Sequence, residues 1–283
     1  MRFTITRTIA AQQKLSRRLA AAGKTIAIVP TMGCLHDGHL ALIRRGLRRA
    51  DVVVTTIFVN PAQFAPHEDF MRYPRDTRGD LKKIRAAGCQ IAFLPAARDI
   101  YPDDYETYVT VENLTQPLEG SLRPTHFRGV TTIVAKLFNI VRPDVALFGI
   151  KDYQQAMVLK KMTADLNWPI TFIICPTVRE KDGLALSSRN RYLSPEFRLQ
   201  APALYQALSA ARQMARNGQR RASDIKRHMR RIIALRAPAG TIDYIAFTEM
   251  ETLRPTRLVE KNTVVSLAVR LGSVRLIDNM KIA

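Results

Sequence analysis

The stretch TIAIVPTMGCLHDGHLALI, Thr25–Ile43, decides how this chain folds. Thr25–Val29 is a short run of mostly β-branched residues that does not alternate with polar ones, the pattern of a strand buried on both faces. His39–Ala50 then carries apolar residues at helical spacing. Between the two lies a turn with a methionine, two glycines and two histidines three residues apart, more chemistry than a chain reversal requires. Strand, polar turn and helix in succession point to an α/β sheet, in which ligands gather beyond the carboxyl ends of the strands.

The alternation continues outward from this stretch. Strand-like runs recur at Val52–Val59, Gln90–Leu94, Val145–Phe148 and Ile170–Cys175. Helical patterns lie between them at Thr77–Ala87, stopped by Gly88, at Val130–Val141, stopped by Pro143, and at Asp152–Asn167, stopped by Pro169. An opening helix over Ile9–Ala22, ended by Gly23, packs beside the sheet. The expected core is a parallel sheet with right-handed crossovers. After Pro176 the rhythm changes: long helices at Pro195–Asn217 and Ala222–Leu235 precede strand-like Ile242–Thr248, Thr263–Val269 and Val274–Ile277. The expectation is therefore an α/β domain over 1–176 and a smaller α+β domain over 177–283.

Composition narrows the function classes. The chain has 283 residues, 47% of them hydrophobic, enough for a sizeable core. No apolar run is long enough to span a membrane, and the N-terminus lacks the pattern of a signal peptide, so a cytoplasmic location is expected. Cys34, Cys89 and Cys175 are few and widely spaced, which favours buried thiols over disulfides or a zinc knuckle. The formal charge of +20 fits anionic substrates, nucleic acid or an Arg-rich surface. Arg198–Arg236 holds ten Lys or Arg against one acid, Asp224, and the spacing of Arg212, Arg216 and Arg220 suggests a basic helical stripe. No aromatic residues interleave with it to stack bases, so a solvated face is expected and no specific nucleic-acid partner.

Three polar clusters fall at the expected carboxyl ends, and a fourth lies in a loop between the domains. In the opening stretch, Gly33 and Gly38 allow close approach of backbone, and His39 stands at a helix N-terminus, where phosphate is favoured. His36 and His39 are alternatively a metal pair, but no third ligand lies near them in sequence. FVNPAQF, Phe58–Phe64, offers the Asn60 and Gln63 amides to a small polar substrate. FGIKDYQQ, Phe148–Gln155, combines Gly149, a Lys151 charge and Gln155 one turn on, with Asp152 as a plain N-cap in the simplest reading. REKDGLALSSRNRYLS, Arg179–Ser194, sets Ser187, Ser188 and Arg189 in an irregular loop suited to polyphosphate.

Taken in order, PTMGCLHDGH, IFVNPAQF, RYPRD, RPTHFRGV, KDYQQ, KDGLALSSRN and the closing RLIDN resemble the pantothenate synthetase family, the ATP-dependent pantoate–β-alanine ligases of the HIGH-motif nucleotidyltransferase superfamily. The resemblance covers nearly the whole chain. It implies a Rossmann-like doubly wound sheet, a C-terminal domain that closes as a lid, and a homodimer formed through the N-terminal domains. It implies that pantoate attacks the α-phosphate of ATP, with magnesium accompanying the nucleotide, and that β-alanine then displaces AMP from pantoyl adenylate.

Carried over residue by residue, the resemblance makes Met32 to His39 an ATP segment, including Gly33, with His36 and His39 stabilising phosphate charge and His39 at the position designated proton donor. Asn60, Gln63 and Gln155 would hold pantoate, with Gln63 also near β-alanine. Gly149, Ile150, Lys151, Asp152, Val178, Leu186, Ser187, Ser188 and Arg189 would complete the nucleotide site, and Asp80 would be a magnesium-linked carboxylate. One departure is Ile150, where family members commonly carry Glu.

Overall fold

Six strands build the N-terminal sheet: β1 (Thr4–Thr6), β2 (Ile26–Thr31), β3 (Val52–Ile57), β4 (Ile91–Phe93), β5 (Val145–Gly149) and β6 (Thr171–Cys175). Their order is β1-β4-β3-β2-β5-β6, and every pairing is parallel. The computed structural model describes residues 2–66 and 68–283. They fall into two units, one comprising the chain to Ile150 with Gln155–Pro176, the other Lys151–Gln154 with Thr177–Ala283.

The helices of the chain are α1 (Ile9–Ala21), α2 (Asp37–Gly46), α3 (Thr77–Ala86), α4 (Ala97–Ile100), α5 (Glu119–Leu122), α6 (His126–Val141), α7 (Tyr153–Asp165), α8 (Pro195–Gln200), α9 (Ala203–Arg216) and α10 (Ala222–Arg236). Alternate residues of the central strands enter opposite cores. Ile26, Ile28, Val52, Val54, Ile91 and Phe93 pack with Leu15 and Leu19 of α1 and Val134 and Phe138 of α6. Ala27, Val29, Val53 and Ala92 pack with Leu42 and Ile43 of α2 and Ile84 of α3. The sheet is thus covered on both faces, which is why its strands read as unbroken apolar runs.

Carboxylates tie down the amino-terminal rim. Asp51 accepts the Thr25 N–H and hydroxyl, both at 2.9 Å, and Asp144 accepts the Ile26 N–H at 2.7 Å. The opposite rim carries the polar turns. Strand order reverses between β2 and β5, so the turns after these two strands, 32–36 and 150–152, leave the sheet at its topological switch point.

The second unit is a three-stranded antiparallel sheet, β7 (Gly240–Glu249), β8 (Thr263–Leu271) and β9 (Val274–Lys281), in that order. Helices α9 and α10 pack on it; the small buried face of α9, Ala203, Ala207, Ala211 and Ala215, lets the helix pack closely.

Several element boundaries differ from the sequence reading. Strand β1 was not expected, because three residues of alternating Thr and Ile at a sheet edge carry little apolar signal. The helix expected over Pro195–Asn217 is two helices, since Pro202 has no N–H to continue α8 and its ring crowds the preceding turn. Helix α9 ends at Arg216, with Gly218 left-handed at φ +90°, so Arg220 lies beyond the helix and the expected three-arginine stripe is not formed. Helix α6 begins at His126, a turn earlier than expected, and Lys151 and Asp152 form a 3₁₀ turn with Ile150 ahead of α7. Lys151 and Gln155 therefore do not share one α-helical run.

Candidate active site

The residues singled out in the sequence divide between the units. Met32, Gly33, His36, His39, Asn60, Gln63, Asp80, Gly149, Ile150 and Gln155 belong to the parallel-sheet unit, and Lys151, Asp152, Val178, Leu186, Ser187, Ser188 and Arg189 to the other.

In the first unit, β2 ends at Thr31 and the chain turns through left-handed Gly33 (φ +84°) and Cys34 (φ +51°). Asp80 of α3 stabilises this turn: its two carboxylate oxygens accept the Cys34 and Leu35 N–H groups, each at 2.7 Å. With Asp80 only 1% exposed, both oxygens serve the turn from inside. The structure thus corrects the magnesium-linked reading of this carboxylate: it is an internal backbone acceptor. Lys83 adds a bond to the Leu35 carbonyl at 2.7 Å.

The turn delivers His36 as the N-cap of α2 and His39 as its third residue. His36 Nδ1 accepts the Gly38 N–H at 3.2 Å, and His39 Nδ1 accepts the His36 N–H at 3.3 Å. The ring centroids are 4.1 Å apart. An imidazole nitrogen that accepts an N–H carries no proton, so in the neutral rings the proton sits on Nε2. The capping box thereby orders two Nε2–H donors at the positive end of a helix dipole, an arrangement suited to anionic oxygens.

The turn after β3 forms a second group. Asn60 is 1% exposed, and its Nδ2 donates to Gln63 Oε1 and to the Gly129 carbonyl, both at 3.1 Å, while its Oδ1 accepts the Tyr101 hydroxyl at 2.9 Å. Gln63 Nε2 donates to Met32 Sδ at 3.2 Å, which joins this turn to the one after β2. The Gln63 carbonyl accepts from His126 Nδ1 at 2.9 Å and Arg123 Nη2 at 3.3 Å. Arg123 in turn grips both carboxylate oxygens of Glu68, at 2.5 and 2.6 Å. Burial, reinforced by Arg123, pushes the His126 imidazole down to about 4. Burial alone would raise the Glu68 carboxyl, but the Arg123 bonds and charge outweigh it and the net shift is downward. Gly129 is required here, because a Cβ would stand 2.1 Å from the Ala62 carbonyl oxygen.

In the second unit, Lys151 Nζ lies 3.0 Å from Asp152 Oδ1, and the Lys151 carbonyl accepts the Asn279 side-chain amide at 2.9 Å. Tyr153 donates to the Met250 carbonyl at 2.7 Å, and burial raises its phenol to about 12. Val178 and Leu186 face each other across a tight hairpin, Leu186 N–H to Val178 carbonyl at 3.0 Å, whose tip holds left-handed Gly183. Arg179 anchors that hairpin: it pairs with both oxygens of Asp278 at 2.5 and 3.0 Å and lies over the Tyr205 ring at 4.5 Å. Ser187 then caps a 3₁₀ turn, Ser188–Tyr192, accepting the Arg189 N–H at 3.3 Å. The RLIDN segment thus supports both the Lys151 turn and the serine loop, through Asn279 and Asp278.

Sequence reasoning missed the supporting residues. Tyr101 carries no motif signal, and Arg123, His126 and Asp278 stand out only as members of RPTHFRGV and RLIDN. Charged and polar residues within RPTHFRGV were the available signal.

Known proteins supply the remaining comparison. Residues 4–281 match the family model described as pantoate-beta-alanine ligase. The pantothenate synthetase of Geobacter sulfurreducens is 50% identical over 272 residues, 96% of each chain, and that of Thermotoga petrophila 48% identical over 275 residues, 97% of this chain and 98% of its own. The crystal structure of pantothenate synthetase from Thermus thermophilus superposes with a TM-score of 0.94 at 43% identity, covering 100% of this chain and 99% of that one. A pantoate-beta-alanine ligase from Francisella tularensis, complexed with βγ ATP and β-alanine, gives a TM-score of 0.77 at 30% identity, covering 99% and 97%. Its fold, its polar turns and these matches along its length place the chain in the pantoate–β-alanine ligase family.

Proposed function

We propose that this protein condenses pantoate with β-alanine at the expense of ATP, forming pantothenate for coenzyme A biosynthesis. A pantoate carboxylate oxygen attacks the α-phosphorus, the bond to pyrophosphate breaks, and pantoyl adenylate forms. The β-alanine amine then attacks the acyl carbon, AMP leaves with the bonding electron pair, and the new amide nitrogen loses its proton.

The observation that carries this reading is the His36–His39 capping box, which orders two imidazoles at the start of α2 beyond the sheet's carboxyl rim. In the proposal Met32, Gly33, His36 and His39 hold the nucleotide, and His36 and His39 donate to phosphate oxygens as charge moves onto the leaving pyrophosphate. One such donor lowers a barrier by about 3 kcal/mol, by analogy with oxyanion-hole deletions. Gly149, Ile150, Lys151, Asp152, Val178 and Leu186 complete the nucleotide-binding set, with Lys151, Ser187, Ser188 and Arg189 assigned to the phosphates. Gln63 and Gln155 contact pantoate, and Gln63 also lies near β-alanine. Magnesium enters with ATP and offsets part of the triphosphate charge.

A homodimer through the N-terminal unit is part of the proposal, supported by the family resemblance. A cytoplasmic location is part of the proposal: Cys34, Cys89 and Cys175 are all buried, and no described helix is long and apolar enough to cross a membrane.

The test is pyrophosphate release with ATP, magnesium and pantoate, with and without β-alanine. The expected result is pantoate-dependent pyrophosphate, with AMP appearing in solution on addition of β-alanine. AMP release or nucleotide transfer that ignores the amine would overturn the assignment.

A further inference from the structure

The amide of Gln63 can present either its oxygen or its nitrogen to a ligand, and a buried chain of hydrogen bonds leaves one choice. The Gly129 carbonyl can only accept, so the Asn60 atom 3.1 Å from it must be Nδ2. The opposite end of the same amide, Oδ1, then faces the Tyr101 hydroxyl at 2.9 Å and accepts its hydrogen bond. With Nδ2 committed as donor, the Gln63 atom it meets at 3.1 Å must be the acceptor Oε1. Gln63 Nε2 is thereby turned the other way, toward Met32 Sδ, a weak acceptor that a substrate oxygen can displace.

We propose that Tyr101 and Asn60 are positioning residues that set the polarity of the Gln63 amide, so that Gln63 meets its substrate as an N–H donor and never as an acceptor. This rests on the assignment of Gln63 to pantoate, whose carboxylate and carbinol oxygens can accept. Asn60 itself is not a substrate ligand, in contrast to the sequence reading: both its Nδ2 hydrogens are committed and it is almost fully buried. Tyr101 suits its role because burial, with Tyr105 and Tyr108 nearby, raises its phenol above the usual range and keeps the hydroxyl a donor.

Pyrophosphate release is measured against pantoate and against ATP for Tyr101→Phe, Asn60→Ala, Gln63→Ala, Gln63→Glu and the double variant Asn60→Ala/Gln63→Ala. Tyr101→Phe and Asn60→Ala are expected to raise the pantoate KM, the latter by about tenfold, the size of one neutral hydrogen bond, with the ATP KM unchanged. Combining Asn60→Ala with Gln63→Ala should cost no more than Gln63→Ala alone, because Asn60 acts only through Gln63. Gln63→Glu, which has no outward N–H, should be at least as impaired as Gln63→Ala. Multiplicative losses in the double variant, or a Gln63→Glu protein that keeps its pantoate KM, would overturn the proposal.

A Gln63→Ala protein with the wild-type pantoate KM would instead sink the pantoate assignment. The polarity is then read independently by NMR in the wild-type protein and Tyr101→Phe. Slow solvent exchange of the Asn60 side-chain amide, accelerated by Tyr101→Phe, is expected; fast exchange in the wild type would refute the committed amide.

Discussion

Asp80 Oδ2 accepts the backbone N–H of Cys34 at 2.7 Å, across 46 residues of chain, and its partner oxygen does the same for Leu35. A residue of α3 thereby holds the left-handed Gly33–Cys34 turn that launches His36 and His39. The conformation is costly for Cys34, whose φ of +51° a Cβ-bearing residue rarely adopts, and two charge-assisted bonds offset that cost.

Asp80→Asn puts an NH2 group against one of these two N–H donors. A stability loss of about 2–3 kcal/mol is expected, the scale of a lost charge-assisted hydrogen bond in a buried site. Thermal melting reads it directly. A variant with unchanged melting temperature and an altered magnesium requirement would restore the metal reading of this carboxylate.

His39→Ala and His39→Asn separate capping from chemistry. Asn places an acceptor where Nδ1 stands, so it preserves the bond from the His36 N–H, whereas Ala loses about 1 kcal/mol of helix capping. Both lack Nε2–H, and both should slow pyrophosphate release by about 10²–10³, the effect of deleting one electrostatic donor. Full activity in His39→Asn would show that the imidazole serves only as a cap. Lys151→Ala should slow the same step comparably while remaining folded.

Stability should fall with acidification through His126. Its folded-state pKa of about 4 lies below the ordinary 6.5, so between these values the unfolded chain takes up a proton that the folded protein refuses. The contribution is fully present above pH 6.5 and is lost as pH falls toward 4, by at most about 3 kcal/mol at 1.36 kcal/mol per pKa unit. His126→Asn keeps a donor for the Gln63 carbonyl without titrating. Urea denaturation across this window should show a shallower pH slope for the variant, and equal slopes would contradict the assignment.

Arg179 and Asp278 form a buried ion pair in the second unit, the carboxylate side chain only 3% exposed. Asp278→Ala leaves the guanidinium uncompensated, and a loss of about 3–5 kcal/mol follows. Arg179→Lys should recover little, because an ammonium can neither bond both oxygens in parallel nor stack on Tyr205 as guanidinium does. Chemical denaturation of the two variants provides the check.

The sequence was most legible where the physics is local. Unbroken apolar runs announced the strands of a sheet covered on both sides, Gly and Pro marked the ends of helices, and seven polar segments in a fixed order announced the family. Expectation and structure part at Pro202, where a proline overrides a continuous helical pattern, and at β1, whose place depends on pairing with β4 across 87 positions of register, Thr4 with Ile91.

What the tertiary structure alone decided is which polar side chains face outward and which serve the protein itself. Asn60 and Gln63 read alike in sequence, yet Asn60 is consumed by Gly129, 69 residues away, and by Tyr101, 41 residues away. Asp80 looked like a ligand and is an internal acceptor. The reason is that a strand or helix is specified by neighbours a few residues off, whereas a buried hydrogen bond is satisfied by whatever donor or acceptor the folded chain brings within reach.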